Sequence, residues 1–128
     1  MRKLFPLLLL LSLPACSVLC SNETVASLKS PDGKHRAILF MRECGATTDY
    51  TTQVSIVAST WPYHDIGNVF VADAYARDAK RGSWGGPWAE AAWISPQQLL
   101  VTYDARSRVF TQNAKVRGIH ITYRAVRP

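Results

Sequence analysis

Residues 118–125 read Gly-Ile-His-Ile-Thr-Tyr-Arg-Ala, and apolar side chains fall on every second position: Ile119, Ile121 and Tyr123 against His120, Thr122 and Arg124. A period of two lines up one apolar row on an extended strand, whereas a helix would scatter it around the axis. Short extended pieces of this kind recur over residues 24–29, 34–42, 53–59, 67–72, 89–94 and 99–103. Turn residues punctuate them. In Ser30-Pro31-Asp32-Gly33 the proline presets the second turn position, and Gly33 is free to take positive φ. Ser95-Pro96-Gln97-Gln98 separates a second pair of strands in the same way. Each Ser-Pro turn therefore predicts a hairpin. The one helical candidate, residues 72–80, carries Asp73, Arg77 and Asp78 without an apolar stripe and is read as loop.

Many short strands with turns about every dozen residues predict an all-β fold: a small antiparallel meander curled into a sandwich or partial barrel. There is also a faint internal echo. Leu28-Lys29-Ser30-Pro31-Asp32-Gly33 matches Trp93-Ile94-Ser95-Pro96-Gln97-Gln98 in pattern, like the inner hairpin of a propeller blade. A closed propeller needs several four-stranded blades, more than 128 residues supply.

The first residues have a different character. Arg2 and Lys3 precede an apolar run from Leu4 to Leu13, and the small residues Ala15 and Cys16 follow, the layout of a bacterial export signal. The run is shorter than the roughly 20 residues a membrane-spanning helix needs. No later stretch approaches that length, so no transmembrane span is expected. Leu13-Pro14-Ala15-Cys16 resembles the lipobox of bacterial lipoproteins. The resemblance implies cleavage before Cys16 and a diacylglycerol on its thiol. An ordinary secretory signal wants a small residue where Leu13 stands. Expected organisation is a signal peptide over residues 1–15, a lipidated tether over 16–27 and a single β domain over 28–128. In that family an aspartate after the cysteine often retains the protein in the inner membrane. Ser17 stands there instead, which points to the outer membrane, facing the periplasm.

With Cys16 acylated, Cys20 and Cys44 remain. Export brings them to an oxidising compartment, where structural disulfides persist. The expected arrangement is a Cys20–Cys44 disulfide; two free thiols, or Cys20 as a second lipid site, are the alternatives. Ser17-Val18-Leu19 before Cys20 makes a poor lipobox. His35, His64 and His120 lack ligand spacing, so neither metal nor cofactor is expected.

The formal charge is +6; Arg2 and Lys3 supply two of those charges within an acid-free first fifteen residues, which leaves +4 beyond them. The remaining cations are spread along the chain as a basic surface, suited to anionic headgroups or cell-wall polymer. No nucleic-acid motif appears, and nucleic acid is not an expected partner.

A set of short motifs carries a wider likeness: Cys20-Ser21-Asn22-Glu23, Ser30-Pro31-Asp32-Gly33-Lys34, Cys44-Gly45-Ala46-Thr47-Thr48, Thr52-Gln53-Val54-Ser55-Ile56, Gly67-Asn68-Val69-Phe70, Trp93-Ile94-Ser95-Pro96 and Tyr103-Asp104-Ala105-Arg106-Ser107. Together they resemble a family of small uncharacterised bacterial exported proteins and lipoproteins, over most of the chain beyond the leader. The resemblance implies paired cysteines and an envelope location, and it implies no activity.

No nucleophile elbow, phosphate-cradling loop or zinc-protease helix is present. Ser107 stands between Arg106 and Arg108 with no histidine near it in sequence. Asp104, at a strand end, either serves a site or pairs with Arg106 or Arg108. Two loops are candidate binding surfaces. The first, residues 81–88, holds Trp84 and Trp88 among glycines; these rings either present a face to a ligand or plug the end of the sheet. The second holds Thr47 and Thr48, as a polar ledge or a self-bonded turn. With Asp104 and Arg106 they make up the candidate set. Residues 61–65 form a third aromatic loop, in which His64 is read as a surface histidine. The expected function is a non-enzymatic envelope binding module for a periplasmic protein, of inhibitor or immunity type. The alternative is a peptidoglycan or carbohydrate module, and a third reading is a small hydrolase built on Asp104 with His64 or His120.

Overall fold

The computed structural model describes Lys3 and residues 20–45, 49–61, 65–74 and 79–128. Within them the chain forms nine strands and no helix: β1 Ser21–Lys29, β2 His35–Glu43, β3 Thr51–Ala58, β4 Phe70–Asp73, β5 Ala89–Ser95, β6 Gln98–Asp104, β7 Arg108–Gln112, β8 Lys115–Val116 and β9 Ile119–Val126. They build two sheets, ordered β1-β2-β3-β4-β7 and β5-β6-β9-β8. The sheets pack face to face, so the all-β expectation holds and the sandwich is the shape adopted.

The alternation in the sequence sets the core. Ala37 and Leu39 of β2, Val54 and Ile56 of β3, and Phe70 and Ala72 of β4 point inward from the first sheet. Leu99 and Val101 of β6 and Ile119 and Ile121 of β9 meet them from the second. The Phe70 ring lies 5.1 Å from that of Tyr103 and 6.2 Å from that of Tyr123. Burying each such side chain is worth about 1.5–3 kcal/mol.

Both Ser-Pro turns make hairpins. In the first, Gly33 N–H donates to Ser30 O and Gly33 takes φ 72°, the region that glycine enters without strain. Asp32 fixes the turn by accepting from Ser30 Oγ at 2.6 Å and from Lys34 N–H at 3.1 Å. These bonds, Ser30's first, hold its carboxyl below the usual range. At the open end, Cys20 is disulfide-bonded to Cys44, one residue outside the Ser21↔Glu43 pair.

Three features differ from the sequence expectation. The ordered sheet begins at Ser21, so residues 21–27 belong to β1 and not to a tether. Residues 21–24 are exposed and carry no apolar alternation, which hides the strand from sequence. β7 and β8 are additional. β7 is a mostly exposed edge, and β8 is two residues joined to β9 by a turn in which Arg117 and Gly118 both take positive φ. Finally, β6 and β9 run parallel, because the chain leaves the second sheet for β7 and returns before β9.

The outer face of the first sheet is buried too. Ile38, Phe40 and Val57 form a second apolar cluster there. Arg36 and Arg42 bracket it on β2, bonding to Trp61 O at 2.7 Å and to the Asp65 carboxylate at 3.3 Å. Gln53, Ser55 and Asn68 tie residues 66–68 across the same face.

Candidate functional site

β1 and β5 are edge strands, one in each sheet, and they lie on the same side of the sandwich. Between them runs a groove of about 310 Å³ lined by Val25, Ala26 and Leu28 on one side, Ala89, Glu90 and Ala91 on the other, with Leu39, Trp84 and Trp88 completing it. Trp93 Nε1 donates to Leu28 O at 2.8 Å and joins the two walls at one end. Leu28 and Trp93 are the equivalent positions of the two echoing segments, so the two hairpins meet there.

A bulge shapes the β1 wall. Thr24 pairs with Phe40 and Ala26 with Leu39, which leaves Val25 as the extra residue. Neighbours in a regular strand point to opposite faces, but a bulge re-aims one of them. Val25 and Ala26 therefore both line the groove. No composition signal marks this bulge, and sequence reasoning missed the groove for that reason.

Trp84 and Trp88 both line the groove, and both are half-buried. The loop that carries them is rigidly bonded. Trp84 Nε1 donates to Thr52 Oγ1 at 2.8 Å, and the fully buried Thr52 hydroxyl donates to Pro87 O at 2.6 Å. A Cβ on Gly86 would stand 2.5 Å from Thr52 Oγ1, so only glycine admits this close approach. Arg81 spans the loop to Gly85 O at 2.7 Å and pairs with the Asp49 carboxylate through both terminal nitrogens, at 3.2 and 3.3 Å. Lys80 Nζ lies 5.8 Å from the centroid of the Trp88 ring, within cation–π range.

Of the two readings of Asp104, the pairing with Arg106 is the one the structure contains, and the pair anchors this loop. Asp104 is completely buried. Its carboxylate accepts from Lys80 N–H at 2.7 Å, Arg106 N–H at 2.8 Å, Arg106 Nε at 3.0 Å and Arg106 Nη2 at 2.7 Å. The Arg106 side chain, ahead of the opposing effect of burial, holds the carboxyl far below the usual carboxylate range. A carboxylate saturated in this way has no lone pair to offer a ligand. Asp73 is bound alike by Arg108, at 3.1 and 2.7 Å.

Cys16, Thr47, Thr48 and His64 lie outside the described residues. The other histidine partner proposed for Asp104 is remote. His120 pairs with Gln98 and Asp104 with Val126, six register positions away, roughly 20 Å at the rise of a strand. Among the described residues, Ser107 Oγ is buried and has no hydrogen-bond partner. Among the described residues no cluster of histidine, cysteine and carboxylate side chains fits a metal ion.

Comparison of the chain with protein-family models, curated proteins and solved structures finds no match.

Proposed function

We propose that this protein is a lipid-anchored envelope binding module that holds an extended apolar segment of another periplasmic protein in the groove between β1 and β5. The groove itself carries this reading. Two edge strands border it, each paired on one side alone, so each has outward backbone N–H and C=O groups for an added strand. Its lining is aliphatic and aromatic, with Glu90 as the one charged side chain. A sugar would bring many hydroxyls to a surface that has few partners for them, and unpaired polar groups are costly to bury. The composition of the lining thus favours an apolar peptide over the carbohydrate alternative. That Asp104 and Asp73 are both committed to arginines supports a non-enzymatic role.

The envelope location rests on the leader and on the lipobox-like Leu13-Pro14-Ala15-Cys16, which support a diacylglycerol on Cys16, and Ser17 after it favours the periplasmic face of the outer membrane. The Cys20–Cys44 disulfide agrees with an oxidising compartment.

Tryptophan emission tests the groove. A heptapeptide of alternating valine and threonine should shift the emission saturably, and Ala91→Arg should abolish the shift while the protein stays folded. Soluble peptidoglycan fragments should leave it unchanged. A saturable response to the fragments with none to the peptide would replace this reading with the carbohydrate one.

A further inference from the structure

The disulfide fixes more than a hairpin. Cys20 is tied to Cys44 at the open end of β1 and β2, immediately before Ser21, the first residue of β1. Only Ser17, Val18 and Leu19 separate that point from Cys16. Fully extended, the span from Cys16 to Cys20 reaches roughly 14 Å, at about 3.6 Å per residue. A small domain on so short a leash cannot turn freely. The end of the sandwich that holds the disulfide must stay beside whatever surface holds Cys16.

We propose that this end lies against the lipid surface, with the Ser30–Lys34 and Ser95–Gln98 turns pointing away. The arrangement rests on acylation of Cys16. The surface that results is defined by topology. β1 and β2 bring Cys20 and Cys44 to this end. Asp49 beside β3 pairs there with Arg81 of the tryptophan loop, and Tyr50 packs on Gly85 of that loop. Tyr50 is 38% exposed, and Ser83 at the loop tip is exposed as well. A partly exposed tyrosine suits the interface between headgroups and acyl chains, where its ring is apolar and its hydroxyl polar.

Charge distinguishes the two ends. At the tethered end Arg42, Arg81, Arg106 and Arg108 are each paired with an aspartate, and Lys80, Arg124 and Arg127 are matched in number by Glu23, Glu43 and Glu90. At the far end Lys29, Lys34, Lys115 and Arg117 stand with Asp32 as the one acid on those turns. Contact with lipid therefore needs no anionic headgroup, and the more basic end faces outward. The tryptophan loop, and with it one end of the groove, is held at the membrane side.

Full-length acylated protein in phosphatidylcholine vesicles tests this. Ser83→Cys and Gln97→Cys each supply one free thiol for a fluorophore, and a headgroup-attached quencher reads distance from the membrane. The Ser83 label should be quenched several-fold more than the Gln97 label. Ten Gly-Ser residues inserted between Leu19 and Cys20 should remove the difference. Equal quenching in protein whose intact mass includes the acyl group would overturn the arrangement and leave the anchor standing. A product without that mass would overturn the anchor, and the arrangement with it.

Discussion

The two sides of the sandwich are built differently. On one side the chain itself crosses between the sheets, from β7 to β8 through Asn113 and Ala114. Asn113 N–H donates to Val69 O at 2.9 Å, and its side-chain amide donates to Asn68 O at 2.8 Å. The Tyr123 hydroxyl lies 2.8 Å from Val69 O and 2.6 Å from Asn113 O. Burial raises the pKa of that hydroxyl and keeps it protonated as a donor. On the other side no covalent crossing joins β1 to β5, and one Trp93–Leu28 bond ties them near the far end. One side is stitched by the backbone and these bonds, and the groove runs on the side where two unconnected edges meet. The lesson is that a cleft forms where connectivity is missing.

The largest expected effect comes from the loop that completes the open side. Asp104→Ala strands two backbone N–H groups and takes the buried carboxylate away from Arg106, and it should lower stability by about 4 kcal/mol, the range for breaking a buried ion pair. Urea unfolding measures this. The same carboxylate has an acid dependence. Its folded pKa is depressed, so its contribution is complete above the unfolded value near 3.8 and is lost as pH falls from there toward the folded value. Stability of the natural protein should fall steeply below about pH 4, and more gently in Asp104→Asn, with the unfolded-state value taken as reference.

Next is the clamp on the β1 wall. Replacing both Cys20 and Cys44 by alanine frees a closure of 24 residues and should cost about 3 kcal/mol by calorimetry or urea midpoint. Peptide binding in the groove should weaken alongside, since β1 supplies three lining residues. Unchanged binding would mean that the groove does not depend on a fixed β1.

The smallest effects sharpen the comparison most. Tyr123→Phe and Trp93→Phe each remove one hydrogen bond between the sheets, worth about 1 kcal/mol. Their consequences should diverge. Asn113 continues to hold the stitched side, so Tyr123→Phe should leave peptide-induced tryptophan emission intact after correction for starting intensity. Trp93→Phe removes the joint between the groove walls and should weaken the peptide several-fold. Equal effects on binding would show that the two sides are coupled.

Much of the fold was legible because strand alternation and Ser-Pro turns are local. The row Ile119, Ile121 and Tyr123, and the hairpins at Pro31 and Pro96, follow from periods and backbone preferences carried by neighbouring residues. The strands that escaped, β7 and β8, are short and mostly exposed, so no buried face imprinted a pattern on them. The candidate site was legible only at Trp84 and Trp88, whose size and glycine-rich setting stand out. Asp104 stood out too, with a site role and a pairing with Arg106 or Arg108 both open. Whether a carboxylate serves a ligand or an internal arginine depends on which backbone groups surround it, and Lys80 lies 24 residues away.

By itself the sequence determined the strand periods, the two Ser-Pro hairpins and which side chains were available to be buried, since these depend on each residue and its near neighbours. The tertiary structure alone decided the parallel β6–β9 pair, the bulge at Val25, the saturation of Asp104 and the opening between β1 and β5. Those depend on how distant segments meet in space, and the physical reason is that packing and hydrogen-bond satisfaction are settled over the whole sandwich at once.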